Sequence, residues 1–204
     1  MMTNFSGYIL AGGKSSRMGT DKAFLKSGGE TFLESAFNAL SPTCGGRVKI
    51  VINETQKAKF KKAFASFAYV FDVFSERGAL GGIHAALENC ETEYAIILAC
   101  DLPLVTAGTV KILARIALNS PENVAAVVPR QPDGRIQPLC AVYKTNSCLP
   151  KIRELLENEN SVSMRDFLKL VPARFVETNE LTNDKAEDLF FNVNQPSDFQ
   201  RLKA

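Results

Sequence analysis

Short runs that are apolar at nearly every position alternate along this chain with longer segments whose apolar residues recur at helical spacing. Runs rich in β-branched and aromatic residues predict strands at Tyr8–Ala11, Val48–Ile52, Tyr69–Phe71, Tyr94–Ala99 and Val124–Val128. Between them the spacing predicts helices over Thr31–Leu40, Gln56–Phe67, Gly81–Cys90 and Ala107–Ala117. Strands without a polar face suit a parallel sheet covered by helices on both sides. The expected architecture is therefore α/β: a doubly wound, mostly parallel sheet in a three-layer α/β/α arrangement of Rossmann-like type. Such sheets bind ligands beyond the carboxyl ends of their strands, which directs attention to the polar segments after the first, third and fourth strands.

The last third is less regular. A strand is expected over Arg135–Lys144, helices over Ser147–Glu157 and Ser163–Leu170, a strand over Ala173–Glu177 and a closing helix over Pro196–Leu202. No internal repeat or linker interrupts the pattern, so one domain over residues 1–204 is expected, in two halves that meet at about residue 105.

Charge narrows the chemistry. Twenty-four Lys and Arg face 22 Asp and Glu, a formal net charge of +2 without a basic block, so no nucleic-acid partner is expected. The N-terminus lacks a secretory pattern and no apolar run reaches the roughly 18 residues of a membrane span, so a cytoplasmic protein without a membrane partner is expected. The five cysteines are an odd set with irregular gaps and no CxxC pair, which argues against a disulfide framework or a thiolate zinc site. His84 is the single histidine. A metal here would be a hard cation held by carboxylates, and magnesium fits that chemistry.

The strongest motif follows the first strand: Leu10-Ala11-Gly12-Gly13-Lys14-Ser15-Ser16-Arg17-Met18-Gly19-Thr20-Asp21-Lys22. Paired glycines let the backbone approach a ligand and adopt positive φ, so that N–H groups can face phosphate oxygens. Arg17 and Lys22 add charge where a triphosphate would lie. A guanidinium grips two oxygens at once and an ammonium acts as a point charge; both would offset charge on departing pyrophosphate. Neither the GxGxxG nor the GxxxxGK[ST] spacing is present, so the two commoner phosphate loops do not apply. The plainer alternative is a glycine turn with solvated basic residues.

This string closely resembles the LAGGxSxRMGxDK signature of the molybdenum cofactor guanylyltransferase group of nucleotidyltransferases, also called molybdopterin-guanine dinucleotide synthases. Arg77-Gly78-Ala79-Leu80-Gly81-Gly82, Ala99-Cys100-Asp101-Leu102-Pro103 and Asn192-Val193-Asn194-Gln195-Pro196 follow in the order such proteins show. Relatives often carry proline at the place of Ala79, and Thr and Glu at those of Gln195 and Ser197. The resemblance implies Arg17, Lys22 and Asp101 as catalytic residues, with Asp101 as the magnesium ligand. It implies that Leu10, Ala11, Gly12, Gly13, Lys22, Asn53, Asp72 and Asp101 contact the nucleotide, and that Gly81, Gln137, Pro138, Asn192 and Asn194 face the acceptor. Alone, Asn53 and Asp72 would more often be turn residues, and the plainer alternative for Asp101 is a cap on the following helix. Cys100 reads as a small core residue and His84 as a packed or surface one.

The implied reaction transfers GMP from Mg-GTP to the terminal phosphate of molybdopterin or the molybdenum cofactor. Molybdenum-insertion proteins and molybdoenzyme apoproteins are implied as further partners, and a monomer is expected. The rival enzymes are a cytidylyltransferase on the same cofactor and a sugar-phosphate nucleotidyltransferase. The rival outside enzymology is a nucleotide-sensing or cofactor-delivery adaptor.

Overall fold

The computed structural model describes residues 4–12, 21–158, 163–182, 188–193 and 196–203. The chain opens with β1 (Phe5–Leu10) and, after a 3-10 turn at Lys22–Phe24, a short antiparallel ribbon of β2 (Lys26–Ser27) and β3 (Glu30–Thr31). Next come α1 (Phe32–Cys44), β4 (Val48–Ile52), a 3-10 turn at Glu54–Gln56, α2 (Lys57–Ala63), β5 (Ala68–Phe71), α3 (Ala79–Glu88), β6 (Tyr94–Ala99) and α4 (Ala107–Leu118). The remainder is β7 (Ala126–Arg130), β8 (Cys140–Lys144), α5 (Thr145–Asn158), α6 (Met164–Leu170), β9 (Ala173–Glu177) and α7 (Pro196–Lys203).

The main sheet has seven strands in the order β5-β4-β1-β6-β8-β7-β9. Every neighbouring pair is parallel except those made by β8, which runs antiparallel to β6 and β7. Hence β1, β4, β5 and β6 all end at one edge of the sheet, and β8 begins there. Successive side chains of β1 enter opposite layers, as strand geometry requires. Phe5 and Ile9 pack with Leu33, Leu40, Phe60 and Leu113 on one face. Tyr8 and Leu10 pack with Ile83, Leu87, Ile152 and Phe167 on the other. Helices therefore cover both faces, and the doubly wound, mostly parallel expectation holds.

Several bounds differ from expectation, among them β1, which begins at Phe5, α1, which runs on to Cys44, and β7, which spans Ala126–Arg130; three further differences bear on the site. The strand read over 135–144 is regular only from Cys140: Pro138 has no N–H to give a ladder, and the stretch before it pairs with β7 only at an isolated antiparallel bridge, Arg130 to Ile136, where Gln137 N donates to Pro129 O at 2.8 Å. The helix read over Gln56–Phe67 stops at Ala63. Phe60, Phe64 and Phe67 keep helical spacing in sequence, yet the chain leaves the helix at Phe64 while the rings stay in one aromatic cluster with Phe24 and Phe37. The third helix begins at Ala79, two residues ahead of expectation, which draws Gly81 and Gly82 into its first turns. No helix among the described residues is long and apolar enough to cross a membrane.

Candidate functional site

The ends of β1 and β6 are tied together: Cys100 N donates to Leu10 O at 3.2 Å. Ala11 N and Gly12 N both turn back to Val51 O of β4, at 3.0 and 3.1 Å. The strand order therefore lines up Asp72, Asn53, Gly12 and Asp101 along one edge, from β5 through β4 and β1 to β6. Gly12 is solvent-facing, and a Cβ there would meet only ordinary contacts, 3.6 Å from Asn53 N and Gln56 Oε1. It is also not among the glycines with positive φ, so the backbone freedom expected of it is not used at this residue. Gly13, Arg17 and Asn194, expected in the site, lie outside the described residues.

Lys22 and Asp101, 79 residues apart in sequence, meet at this edge. Lys22 Nζ donates to Asp101 Oδ2 at 2.7 Å, with side-chain exposures of 19% and 22%. A pair that water still reaches contributes only about 0.2–1 kcal/mol to stability, so its geometry matters more for what the groups can bind. Among the described residues no cluster of three or more His, Cys, Asp or Glu side chains could cage a metal. One carboxylate at a strand end fits a hard cation that takes its other oxygens from phosphates and water, which is how magnesium is commonly held.

Asn53 and Gln56 form a capping box around the 3-10 turn. Asn53 Oδ1 accepts from Gln56 N and Gln56 Oε1 accepts from Asn53 N, both at 3.2 Å. The turn role weighed for Asn53 is therefore realised in this structure. Asp72 also turns the chain: its Oδ1 accepts from Phe74 N at 2.8 Å. Burial pushes the Asp72 carboxyl above the usual carboxylate range, and that hydrogen bond partly opposes the shift.

Gly81 was expected at the start of the third helix, facing the acceptor. It lies inside α3, buried against the Asp72 carboxylate, where a Cβ would come within 2.4 Å of Phe74 O and 2.7 Å of Asp72 Oδ1. The anion at the start of α3 is thus the protein's own Asp72. Gly78, with φ of 58° and ψ of −135°, supplies the positive-φ backbone from which the helix starts.

On the other side of Asp101, Leu139 O accepts from Ala99 N at 2.7 Å, which sets Gln137 and Pro138 beside the end of β6. Pro138 O accepts from Tyr143 Oη at 2.8 Å. Val193 N donates to Asp101 O at 3.3 Å, so half-buried Asn192 is carried to the same place. Cys100 is buried and its thiol is pushed well above its ordinary range by burial, which suits a core residue and not a nucleophile.

Sequence reasoning gave Asp21 only as part of the signature string, without a role, and missed Gln56 and Lys59 as neighbours of this site. Lys59 Nζ pairs with Asp21 Oδ2 and lies 4.5 Å from the centre of the Phe24 ring. Gln56 Nε2 reaches Ala11 O and Asp21 Oδ1. The signal was available: Asn53-Glu54-Thr55-Gln56 is a capping-box pattern directly after a strand.

Comparisons with known proteins identify the family. The family described as "MobA-like NTP transferase domain" matches residues 7–177. A "Probable molybdenum cofactor guanylyltransferase" of Clostridium perfringens is 31% identical over 206 residues, covering 98% of this chain and 97% of that protein. Another of that description from Carboxydothermus hydrogenoformans is 32% identical over 203 residues, covering 98% and 96%. Among solved structures, molybdopterin-guanine dinucleotide biosynthesis protein A from Archaeoglobus fulgidus is similar with a TM-score of 0.81. At 21% identity, covering 97% of this chain and 96% of that one, this likeness bears on the fold alone.

Proposed function

This chain belongs to the MobA-like NTP transferase family and is a nucleotidyltransferase, and from that premise we propose that it transfers GMP from GTP to the terminal phosphate of molybdopterin. The product would be the guanine dinucleotide form of the cofactor, with pyrophosphate released. The observation that carries this reading is the meeting of Lys22 and Asp101, a cation and a carboxylate at one strand edge, next to the solvent-facing backbone of Gly12.

Asp72 and Asp101 stand three strand spacings apart in the sheet order, about 14 Å. A nucleotide lying along that edge would have its base and ribose toward Asp72 and Asn53 and its phosphates between Gly12, Lys22 and Asp101. Asp101 would hold magnesium, which supplies neutralising charge to the phosphate oxygens when bound. Asn192, Gln137 and Pro138 would border the acceptor on the far side of Asp101.

In the reaction an oxygen of the acceptor's terminal phosphate bonds to the α-phosphorus of GTP. The bond from that phosphorus to the bridging oxygen of the β-phosphate breaks, and its electron pair leaves on pyrophosphate. The attacking phosphate is already anionic, so no side chain has to take a proton. Catalysis then reduces to holding the two substrates in line and offsetting charge on the leaving group, which is the work of Lys22 and, by its place in the signature, Arg17.

The test is pyrophosphate release from GTP, CTP, ATP and UTP with magnesium and molybdopterin, with the product identified by mass. Release with GTP and formation of the guanine dinucleotide are expected. Release with CTP alone, or only with a sugar phosphate as acceptor, overturns the assignment of substrates. Tight GTP binding without release in the presence of molybdopterin overturns the catalytic role.

A further inference from the structure

We propose that Gln56 is a positioning residue that sets where Lys22 meets Asp101; the inference rests on the nucleotide-site reading of that pair. Gln56 belongs to none of the motifs on which that reading was built. It ends the 3-10 turn after β4 and stands at the N-cap of α2 without a side-chain cap bond to that helix, and its side chain is half-buried.

Its one amide group reaches three places. Oε1 accepts from Asn53 N at 3.2 Å, which closes the 3-10 turn after β4. Nε2 lies 3.4 Å from Ala11 O, at the end of β1, and 3.4 Å from Asp21 Oδ1, the residue directly before Lys22. Gln56 therefore spans from the end of β1 to the chain entering the Lys22 turn. Asp21 N-caps that turn by position without a side-chain cap bond, and its carboxylate is instead held by Gln56 and Lys59. With Asp21 held, the backbone of Lys22 is fixed relative to β1, and the end of β1 is itself tied to β6 by Cys100 N and Leu10 O. The side chain of Lys22 then has only its own rotamers to choose from when it approaches Asp101.

The capping and the positioning roles use different atoms, so they can be separated. Gln56→Glu keeps an oxygen to accept from Asn53 N but loses both donations and sets a carboxylate against Asp21 and the Ala11 carbonyl. Gln56→Leu removes all three contacts at similar volume. The measurement is the dissociation constant of Mg-GTP by calorimetry without acceptor, together with the thermal midpoint of each protein.

The expected result is wild-type binding, about tenfold weaker binding for Gln56→Leu, as the loss of two modest hydrogen bonds implies, and still weaker binding for Gln56→Glu. The Gln56→Glu protein keeps the cap and hence a thermal midpoint near wild type. Wild-type affinity in Gln56→Glu reduces Gln56 to a cap and overturns the proposal, as does unchanged affinity in both variants. Failure of the wild-type protein to bind Mg-GTP is a different outcome, which overturns the nucleotide-site reading and this proposal with it.

Discussion

The carboxylate of Asp72 occupies the space that a side chain on Gly81 would need: a Cβ there would stand 2.7 Å from Oδ1 and 2.9 Å from Oδ2. Next to it, a Cβ on Gly82 would stand 3.4 Å from Leu10 Cδ2, an ordinary contact. The two glycines, adjacent in one helix, should respond oppositely. Gly81→Ala is expected to cost about 1–3 kcal/mol through overpacking, a fall in Tm of roughly 2–4 °C per kcal/mol for a chain of this size. Gly82→Ala is expected to change stability by no more than about 1 kcal/mol, toward stabilisation, because alanine is the better helix former. Thermal denaturation of the two variants checks both.

Asp72 makes a prediction about pH. Its folded-state pKa is raised by burial above the unfolded value, so the stability linked to its proton is fully present below the ordinary Asp range and is lost as pH rises through the raised value. Asp72→Asn removes this dependence while keeping an oxygen for Phe74 N. Urea denaturation should show the variant gaining stability relative to wild type between acid and neutral pH, while its affinity for Mg-GTP falls. An unchanged difference in stability across that range would count against the buried-charge account.

His84 acts in the opposite direction. It is buried edge-on to Phe74, and neither ring nitrogen has a hydrogen-bond partner among the described residues, although Nε2 lies 3.5 Å from Glu88. Burial depresses its pKa against the pull of Glu88. Its contribution is therefore present above the ordinary histidine range and is lost as pH falls through the depressed value. His84→Phe should unfold less readily than wild type below about pH 6 and similarly above pH 7.5, taking an unperturbed histidine pKa of about 6.5. Denaturation midpoints against pH report this.

Cys100 directly precedes Asp101 but is expected to be chemically silent. Cys100→Ala should retain most of its turnover and lose about 1–2 kcal/mol of stability from reduced packing. Loss of turnover in a protein with an unchanged thermal midpoint would mean that the thiol has a role in the reaction.

Much of this was legible in sequence because the core strands are apolar at nearly every position. Val48–Ile52 and Tyr94–Ala99 have the bounds their composition predicts, and their shared end follows from parallel pairing. Asp101 could be found because it stands two residues past such a strand, inside a segment that resembles the family's motif. The start of α3 was read two residues late, at Gly81, and the close packing of its glycines against Asp72 and Leu10 leaves no mark in the local pattern. Gln56 was hidden for a similar reason. Its contacts to Ala11 and Asp21 are 45 and 35 residues away in sequence, so only its short-range cap with Asn53 left a mark in the pattern.

The central claim is that Lys22 and Asp101 serve one reaction site, and its most direct test is the rate of pyrophosphate release by Lys22→Ala, Asp101→Ala and the double variant, each with GTP and molybdopterin. Each single change is expected to lower turnover by on the order of a hundredfold to a thousandfold, as removal of a transition-state contact does. The double variant should be scarcely slower than the slower single, because groups acting as a unit do not contribute additively. Two effects that multiply in full, or near-normal turnover in either single variant, would contradict it.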